Sequence, residues 1–300
     1  MDQCYCRRHI VTLMRFFDED IPDIAFDQAR IILLPVPYEH STSYGKGAAK
    51  GPEAILSAGP YLEFYDDQFD CEPWQLGVYT SDPVKCIQDP EIFQQTIYNK
   101  AAELLQKDKF VIALGGEHTI SFGLFRACHE RFAELSVLQL DAHSDLRNSF
   151  QNSRWSHASV MRRIWELNPN IVPVGIRSQC REERDFVLEQ GIAIFYAHRI
   201  QNEGLGNNVI RKLQKNVYLT IDVDFFDPSI MPSTGTPEPG GFLWYETIDF
   251  LEQVFKQRKI VGIDIVELSP KPDVPHADFL VAKLVYKLLS LKFMQESLKE

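Results

Sequence analysis

The stretch Leu138-Gln139-Leu140-Asp141-Ala142-His143-Ser144-Asp145-Leu146-Arg147 decides how the rest of the chain is read. It begins inside an apolar run, Leu135 to Leu140, of the kind that forms a buried strand. Three metal-type side chains then follow at alternate positions. In an extended chain, residues i, i+2 and i+4 face the same side. Asp141, His143 and Asp145 are therefore expected to converge just past the carboxyl end of that strand. Two further stretches repeat the arrangement: Val217-Tyr-Leu-Thr-Ile-Asp222-Val-Asp224, and Gly115-Gly-Glu117-His118 after the apolar run Phe110 to Leu114. His118, Asp141, His143, Asp145, Asp222 and Asp224, each delivered at the end of an apolar run, predict a metal cluster.

Outward from these stretches, the chain alternates short apolar runs with helical patterns. Strands are expected at Arg30 to Val36, Phe110 to Leu114, Ser136 to Asp141, Ile171 to Gly175, Ala193 to Tyr196, Val217 to Asp222 and Ile260 to Val266. Helices are expected from Gly51-Pro52 onward, where proline suits a first turn, and at Pro90 to Lys107, Thr119 to Phe132, His157 to Leu167, Arg181 to Gln190, Gly204 to Lys215, Tyr245 to Arg258 and His276 to Leu298. Continuous apolar strands alternating with helices predict an α/β fold, with a mostly parallel sheet of about eight strands covered on both faces. Functional residues in such sheets gather beyond the carboxyl ends of the strands. Residues 61–90 are rich in Pro and Asp and carry little pattern. No repeat or linker divides the chain, so residues 30–300 are read as a single domain and residues 1–29 as a peripheral N-terminal segment.

A formal net charge of −11 with no basic cluster argues against a nucleic-acid partner and suits a small cationic substrate. No apolar run approaches the roughly 20 residues of a membrane span. Arg7 and Arg8 precede an apolar patch too short for a signal peptide, and Met14 could be a natural start. The six cysteines are scattered, with Cys4-x-Cys6 the nearest pair. Such a distribution suits reduced thiols in a cytoplasmic protein.

An aspartate at a strand end is, taken singly, more often a helix cap or turn residue. The three stretches together favour the metal reading. Carboxylates with imidazoles suit a hard cation such as Mn(II) over thiolate-seeking zinc. Two such cations sharing a water bring its pKa toward neutrality. Asp141 and Asp222, first in their respective runs, are the natural bridging ligands. His157, in Ser156-His-Ala-Ser159, is either a polar cap or a proton shuttle for the leaving group. Glu267, in Val266-Glu-Leu-Ser-Pro270, is either a salt-bridge partner or a carboxylate that grips a planar cation through paired hydrogen bonds. Asp264 reads as structural. The loop Asp227 to Gly241, rich in Gly and Pro, is an ordinary surface loop or the wall of the active-site mouth; its place after a ligand strand favours the second and brings Thr234, Thr236 and Glu238 near a substrate.

Gly115-Gly-Glu-His118, Asp141-Ala-His-Ser-Asp145, Asp222-Val-Asp224 with Asp227-Pro228, Ser233-Thr-Gly-Thr-Pro237 with Gly240-Gly241, and Glu267-Leu-Ser-Pro270 together resemble the ureohydrolase superfamily of arginases and agmatinases. The resemblance runs from about residue 30 to 290. It implies a three-layer α/β/α fold, two Mn(II) per chain, hydrolysis of a guanidino compound to urea and an amine, and a homotrimer or homohexamer. By position it implies His118, Asp141, Asp145 and Asp222 as ligands of one manganese, and Asp141, His143, Asp222 and Asp224 as ligands of the other. It implies catalytic roles for Asp145, His157 and Glu267, with the last two also contacting substrate.

Within the superfamily, Leu146 to His157 lacks the Thr/Ser/Asn-rich loop of arginases and is more similar to the agmatinase branch, as are Met161-Arg-Arg163 and Pro37 to Tyr44. Agmatine, giving urea and putrescine in polyamine biosynthesis, is the expected substrate. Many such relatives carry Tyr-Glu-Gly where this chain has Phe150-Gln151-Asn152, which makes Gln151 a candidate substrate contact. N1-aminopropylagmatine, guanidinobutyrate or another guanidino acid, and arginine remain alternatives. A metal-stabilised guanidine or polyamine sensor without activity, and a one-metal zinc deacetylase, are the rival classes.

Overall fold

The computed structural model describes residues 14–297. The Cys4-x-Cys6 pair and the stretch before Met14 lie outside the described residues. The strands are β1 (Ile31–Val36), β2 (Val78–Thr80), β3 (Phe110–Gly115), β4 (Leu135–Leu140), β5 (Ile171–Ile176), β6 (Phe195–Tyr196), β7 (Asn216–Asp222) and β8 (Lys259–Val266). The helices are α1 (Gly51–Ala58), α2 (Pro90–Gln106), α3 (Ser121–Arg131), α4 (Val160–Leu167), α5 (Arg181–Gln190), α6 (Ala197–Glu203), α7 (Asn207–Ile210), α8 (Trp244–Gln257) and α9 (Pro275–Ser297).

The strands form one sheet in the order β2-β1-β3-β8-β7-β4-β5-β6. Every pairing is parallel. Alternate residues of each strand enter opposite cores, as the pleat requires. Ile31 and Leu33, Ile112 and Leu114, and Leu138 and Leu140 face the side covered by α1, α6, α7, α8 and α9. Ile32 and Leu34, Val111 and Ala113, and Leu135 and Val137 face the side covered by α2, α3, α4 and α5. The result is a three-layer α/β/α sandwich whose central strands are apolar on both faces.

Three local expectations are corrected. β2 lies in the stretch that carried little pattern, and its three residues are too few to show a period. The helix expected over residues 204–215 is replaced by α6 and α7, because Gly204, with φ of 80°, ends one helix and Gly206 precedes the next. The segment expected to be peripheral contributes Phe16, Phe17 and Ile21 to the core under α9.

Candidate active site

The cavity beyond the carboxyl ends of β3, β8, β7 and β4 measures about 350 Å³. Its wall includes His143, Asp145, His157, Asp222, Asp224 and Glu267, with Thr234, Thr236 and Glu238 of the Gly/Pro loop. His118 and Asp141 are fully buried beneath them.

The fold, not a simple extended chain, produces the convergence. β4 ends at Leu140, and Asp145 has φ of 52°, in the left-handed region that non-glycine residues seldom adopt. That twist brings the Asp145 carboxylate back toward Asp141. Likewise Asp222 closes β7, whereas Asp224 sits in the short helical turn Val223–Phe225. Glu183 pins the loop that carries Asp145, accepting from Ser144 Oγ at 2.8 Å, Leu146 N at 2.9 Å and Cys180 N at 2.7 Å.

Two groups of ligand atoms result, His118/Asp141/Asp145 and Asp141/His143/Asp224, each with its atoms within 4.8 Å of one another. Asp141 belongs to both. His118 Nδ1 lies 3.1 Å from Asp145 Oδ2, 3.2 Å from Asp141 Oδ2 and 3.5 Å from Asp222 Oδ2. His143 Nδ1 lies 2.8 Å from Asp224 Oδ2. Asp222 stands beside the first group, with Oδ1 accepting the Asp224 amide at 2.9 Å.

The donor set fits a cation. Thr220 donates to Asp264 Oδ1 at 2.7 Å, so it can only accept from His118 Nε2, 2.8 Å away. The neutral ring then has its proton on Nε2. Its Nδ1 lone pair, buried without a hydrogen bond, is aimed at three carboxylates. A lone pair among carboxylate oxygens is repulsive unless a positive charge sits between them.

The titration of the cluster expresses the same need. Burial, then Asp224 and Asp145, pushes Asp141 up to about 7. Burial, Asp224 and Asp141 push Asp222 well above the carboxylate range. At His143 burial opposes the charge, yet Asp224 outweighs it and raises the imidazole to about 10. At His118 burial is likewise overcome, here by Asp141 and Asp145. Burial would also raise Asp224, but His143 and the Ala142 amide hold it below its ordinary value. Protons gather where divalent cations fit.

Glu267 faces the cavity from the end of β8, also left-handed at φ of 65°. Its Oε1 accepts the His118 amide at 2.6 Å, and its own amide donates to Gly116 O at 2.8 Å. Burial, then Glu117, raises its pKa well above normal. A planar cation at its second oxygen would relieve that cost. The glycines of Gly115-Gly116 permit this crowding: a Cβ on Gly116 would lie 1.9 Å from Tyr38 O.

His157 is half-buried and lines the cavity with Nδ1 3.0 Å from Ser41 Oγ; the helix cap is its neighbour Ser156. Thr234, Thr236 and Glu238 also reach the cavity, the last with Oε1 3.8 Å from His143 Nε2. Arg177 secures this loop, donating to Asp224 O at 2.6 Å and Glu238 O at 3.0 Å. Asp227 closes its base by accepting the Gly240 and Gly241 amides. Gly45 N to Gly235 O, 3.1 Å, ties it to the early polar loop.

Gln151 is not brought to the cavity. Phe150 and Ser153 exchange both backbone hydrogen bonds, and Gln151 and Asn152 have φ of 50° and 63°, a tight hairpin turn that presents both side chains to solvent. Phe150 and Arg147 line the cavity in its place, the guanidinium carbon standing 5.3 Å from the Phe150 ring centre. Ser41, Glu117 and Glu183 also support the site, through contacts between distant segments. Only Glu117 carried a signal, as a member of Gly-Gly-Glu-His.

Comparison with known proteins agrees with this geometry. The pattern of the arginase family matches residues 29–290. An N(1)-aminopropylagmatine ureohydrolase of Thermus thermophilus is 40% identical over 282 residues, covering 93% of this chain and 95% of that protein. An agmatinase of Pyrococcus horikoshii is 34% identical over 281 residues, covering 92% and 97%. The crystal structure of the agmatine ureohydrolase of Thermoplasma volcanium superposes with a TM-score of 0.86 at 27% identity, covering 97% and 98%.

Proposed function

The chain belongs to the arginase family and is a ureohydrolase-type hydrolase of guanidino C–N bonds, and on that premise we propose that it cleaves N1-aminopropylagmatine to urea and the triamine left behind. The observation that carries this reading is the 40% identity to an aminopropylagmatine ureohydrolase over 93% of the chain, against 34% to an agmatinase. Agmatine itself, expected from the sequence, becomes the second choice. The site chemistry is the same for both, since they differ only in the tail beyond the guanidinium.

His118, Asp141, Asp145 and Asp222 would hold one cation, and Asp141, His143, Asp222 and Asp224 the other. Their oxygen-rich composition suits manganese. When bound, a pair of divalent cations supplies Lewis acidity and acidifies water toward neutral pH. Glu267 orients the guanidinium, with Oε1 anchored by the His118 amide and Oε2 left for the substrate N–H groups. Asp145, at the junction of cluster and cavity, would accept the proton released by the attacking water as its oxygen bonds to the guanidinium carbon. His157 delivers a proton to the departing amine nitrogen. Glu238 and the Phe150 ring border the mouth, where a cationic tail meets a carboxylate and an aromatic face.

The same reading includes reduced cysteines, a cytoplasmic location and a homotrimer or homohexamer. Cys71, Cys128 and Cys180 are free thiols, and no helix among the described residues is long and apolar enough to cross a membrane. The test is urea release by the manganese-loaded protein from aminopropylagmatine, agmatine, arginine and guanidinobutyrate. The highest kcat/KM is expected for aminopropylagmatine. A higher value for agmatine would move the assignment to an agmatinase, and turnover of none would leave the sensor reading.

A further inference from the structure

Glu117 is wholly buried, and its carboxylate accepts four hydrogen bonds. Oε2 takes the His40 and Ser41 amides, both at 2.7 Å. Oε1 takes Thr119 Oγ1 at 2.6 Å and Ser41 Oγ at 2.9 Å. A carboxylate so surrounded by donors is acceptor-only. Ser41 has one hydroxyl proton, and that proton is directed to Glu117. The Ser41 oxygen is left to accept, and two groups of His157 reach it: the backbone amide at 2.9 Å and ring Nδ1 at 3.0 Å. The Phe150 ring, 5.5 Å away and edge-on, flanks the imidazole.

We propose that Ser41 and Glu117 form a positioning relay that fixes the proton of His157 on Nδ1 and so turns the basic nitrogen, Nε2, away from the relay and toward the cavity. The inference rests on the proposed function only in assigning His157 the leaving-group proton. The logic is that of any histidine whose outer nitrogen is engaged by an oriented acceptor: the bond made by one nitrogen determines what the other can do. Nε2 gains a proton and becomes an imidazolium without moving, because Nδ1 continues to donate to Ser41. When Nε2 passes its proton to the amine nitrogen, the C–N bond electrons go to that nitrogen and the ring returns to the same neutral tautomer. Neither Ser41 nor Glu117 touches substrate.

Ser41→Ala leaves Glu117 three donors but removes the acceptor for Nδ1 and for the His157 amide, and Ser41→Thr restores both. Two measurements test the relay. First, histidine nitrogen-15 spectra of the Mg(II)-loaded protein, with His157 assigned by its absence in His157→Asn, report which nitrogen carries the proton. Nδ1 is expected in the native protein and in Ser41→Thr, and a mixture in Ser41→Ala. Second, kcat should fall about 10- to 100-fold in Ser41→Ala, with KM and metal content unchanged and with recovery in Ser41→Thr. In a His157→Asn background, Ser41→Ala should have no further effect, because the relay acts only through that ring. His157 protonated on Nε2 in the native protein, or a Ser41→Ala loss that multiplies undiminished onto His157→Asn, would overturn the proposal. Should no guanidino compound release urea, the functional reading fails while the spectra still decide the relay.

Discussion

His118 Nε2 and Thr220 Oγ1 stand 2.8 Å apart, and the threonine passes its own proton to Asp264. Asp264 also accepts from Ser121 Oγ at 2.9 Å and from the Tyr218 hydroxyl. A carboxylate buried in β8 thus sets, through one hydroxyl in β7, which nitrogen of His118 is bare. Thr220→Val keeps the shape and removes that acceptor. Cation affinity should fall about 10- to 100-fold, the usual cost of losing such an outer partner. Chelator competition measures it, and an unchanged dissociation constant would show that packing alone orients the ring.

Asp141 is common to both groups of ligand atoms, whereas Asp224 belongs to one. Elemental analysis of the manganese-incubated protein should return about two metals per chain. Asp141→Ala and Asp222→Ala, at the two shared ligands, should each damage both sites. Asp224→Ala should retain one. A native protein that is fully active with a single metal would contradict the paired centre.

The pH dependence has a definite sign. Asp141 is raised to about 7 and Asp222 and Glu267 lie well above their ordinary values, so without metal these groups bind protons on folding. Their contribution to stability is full below the ordinary carboxylate pKa and is lost as pH rises through the raised values. Asp224, lowered, has the opposite sign, but its loss comes only in acid. A cation replaces the protons. The Tm gap between manganese-loaded and chelated protein should therefore widen between about pH 6 and about pH 8. A gap that narrows over this range would refute the proton–metal exchange.

Glu267 is anchored at Oε1 and held in a left-handed backbone conformation. Glu267→Asp keeps the charge but cannot reach both the His118 amide and the substrate. A displacement near 1 Å can cost about 100-fold in rate. The loss should fall on kcat/KM with two metals still bound. Equal turnover by Glu267→Asp would mean that another group orients the guanidinium.

The fold and the convergence of Asp and His at the strand ends are legible in the sequence because both depend on repeated local pattern. Apolar runs such as Leu135 to Leu140 mark strands wherever they lie in the sheet, and clustered Asp and His at their ends are rare by chance. What escaped was whatever depends on contacts between distant segments. Ser41 and His157 are 116 positions apart, and nothing in Tyr-Glu-His-Ser announces a histidine partner. Gln151 lies outside the cavity for a related reason. A motif comparison fixes which residues align, but two successive left-handed residues turn that side chain outward and hand its place to Phe150.

The sheet order has one further consequence, for the history of each molecule. β8 is the last strand in the chain, yet it lies between β3 and β7 at the middle of the sheet. His118 follows β3 and Asp222 ends β7, so the two halves of the cluster flank a gap that only residues 259–266 fill. During synthesis, everything up to α8 is made before that keystone exists. Strands waiting for it hold unpaired edges. A cation drawing on both halves would reward only finished sheets. Such binding would act as an inspection mark, separating chains whose centre has closed from those still open.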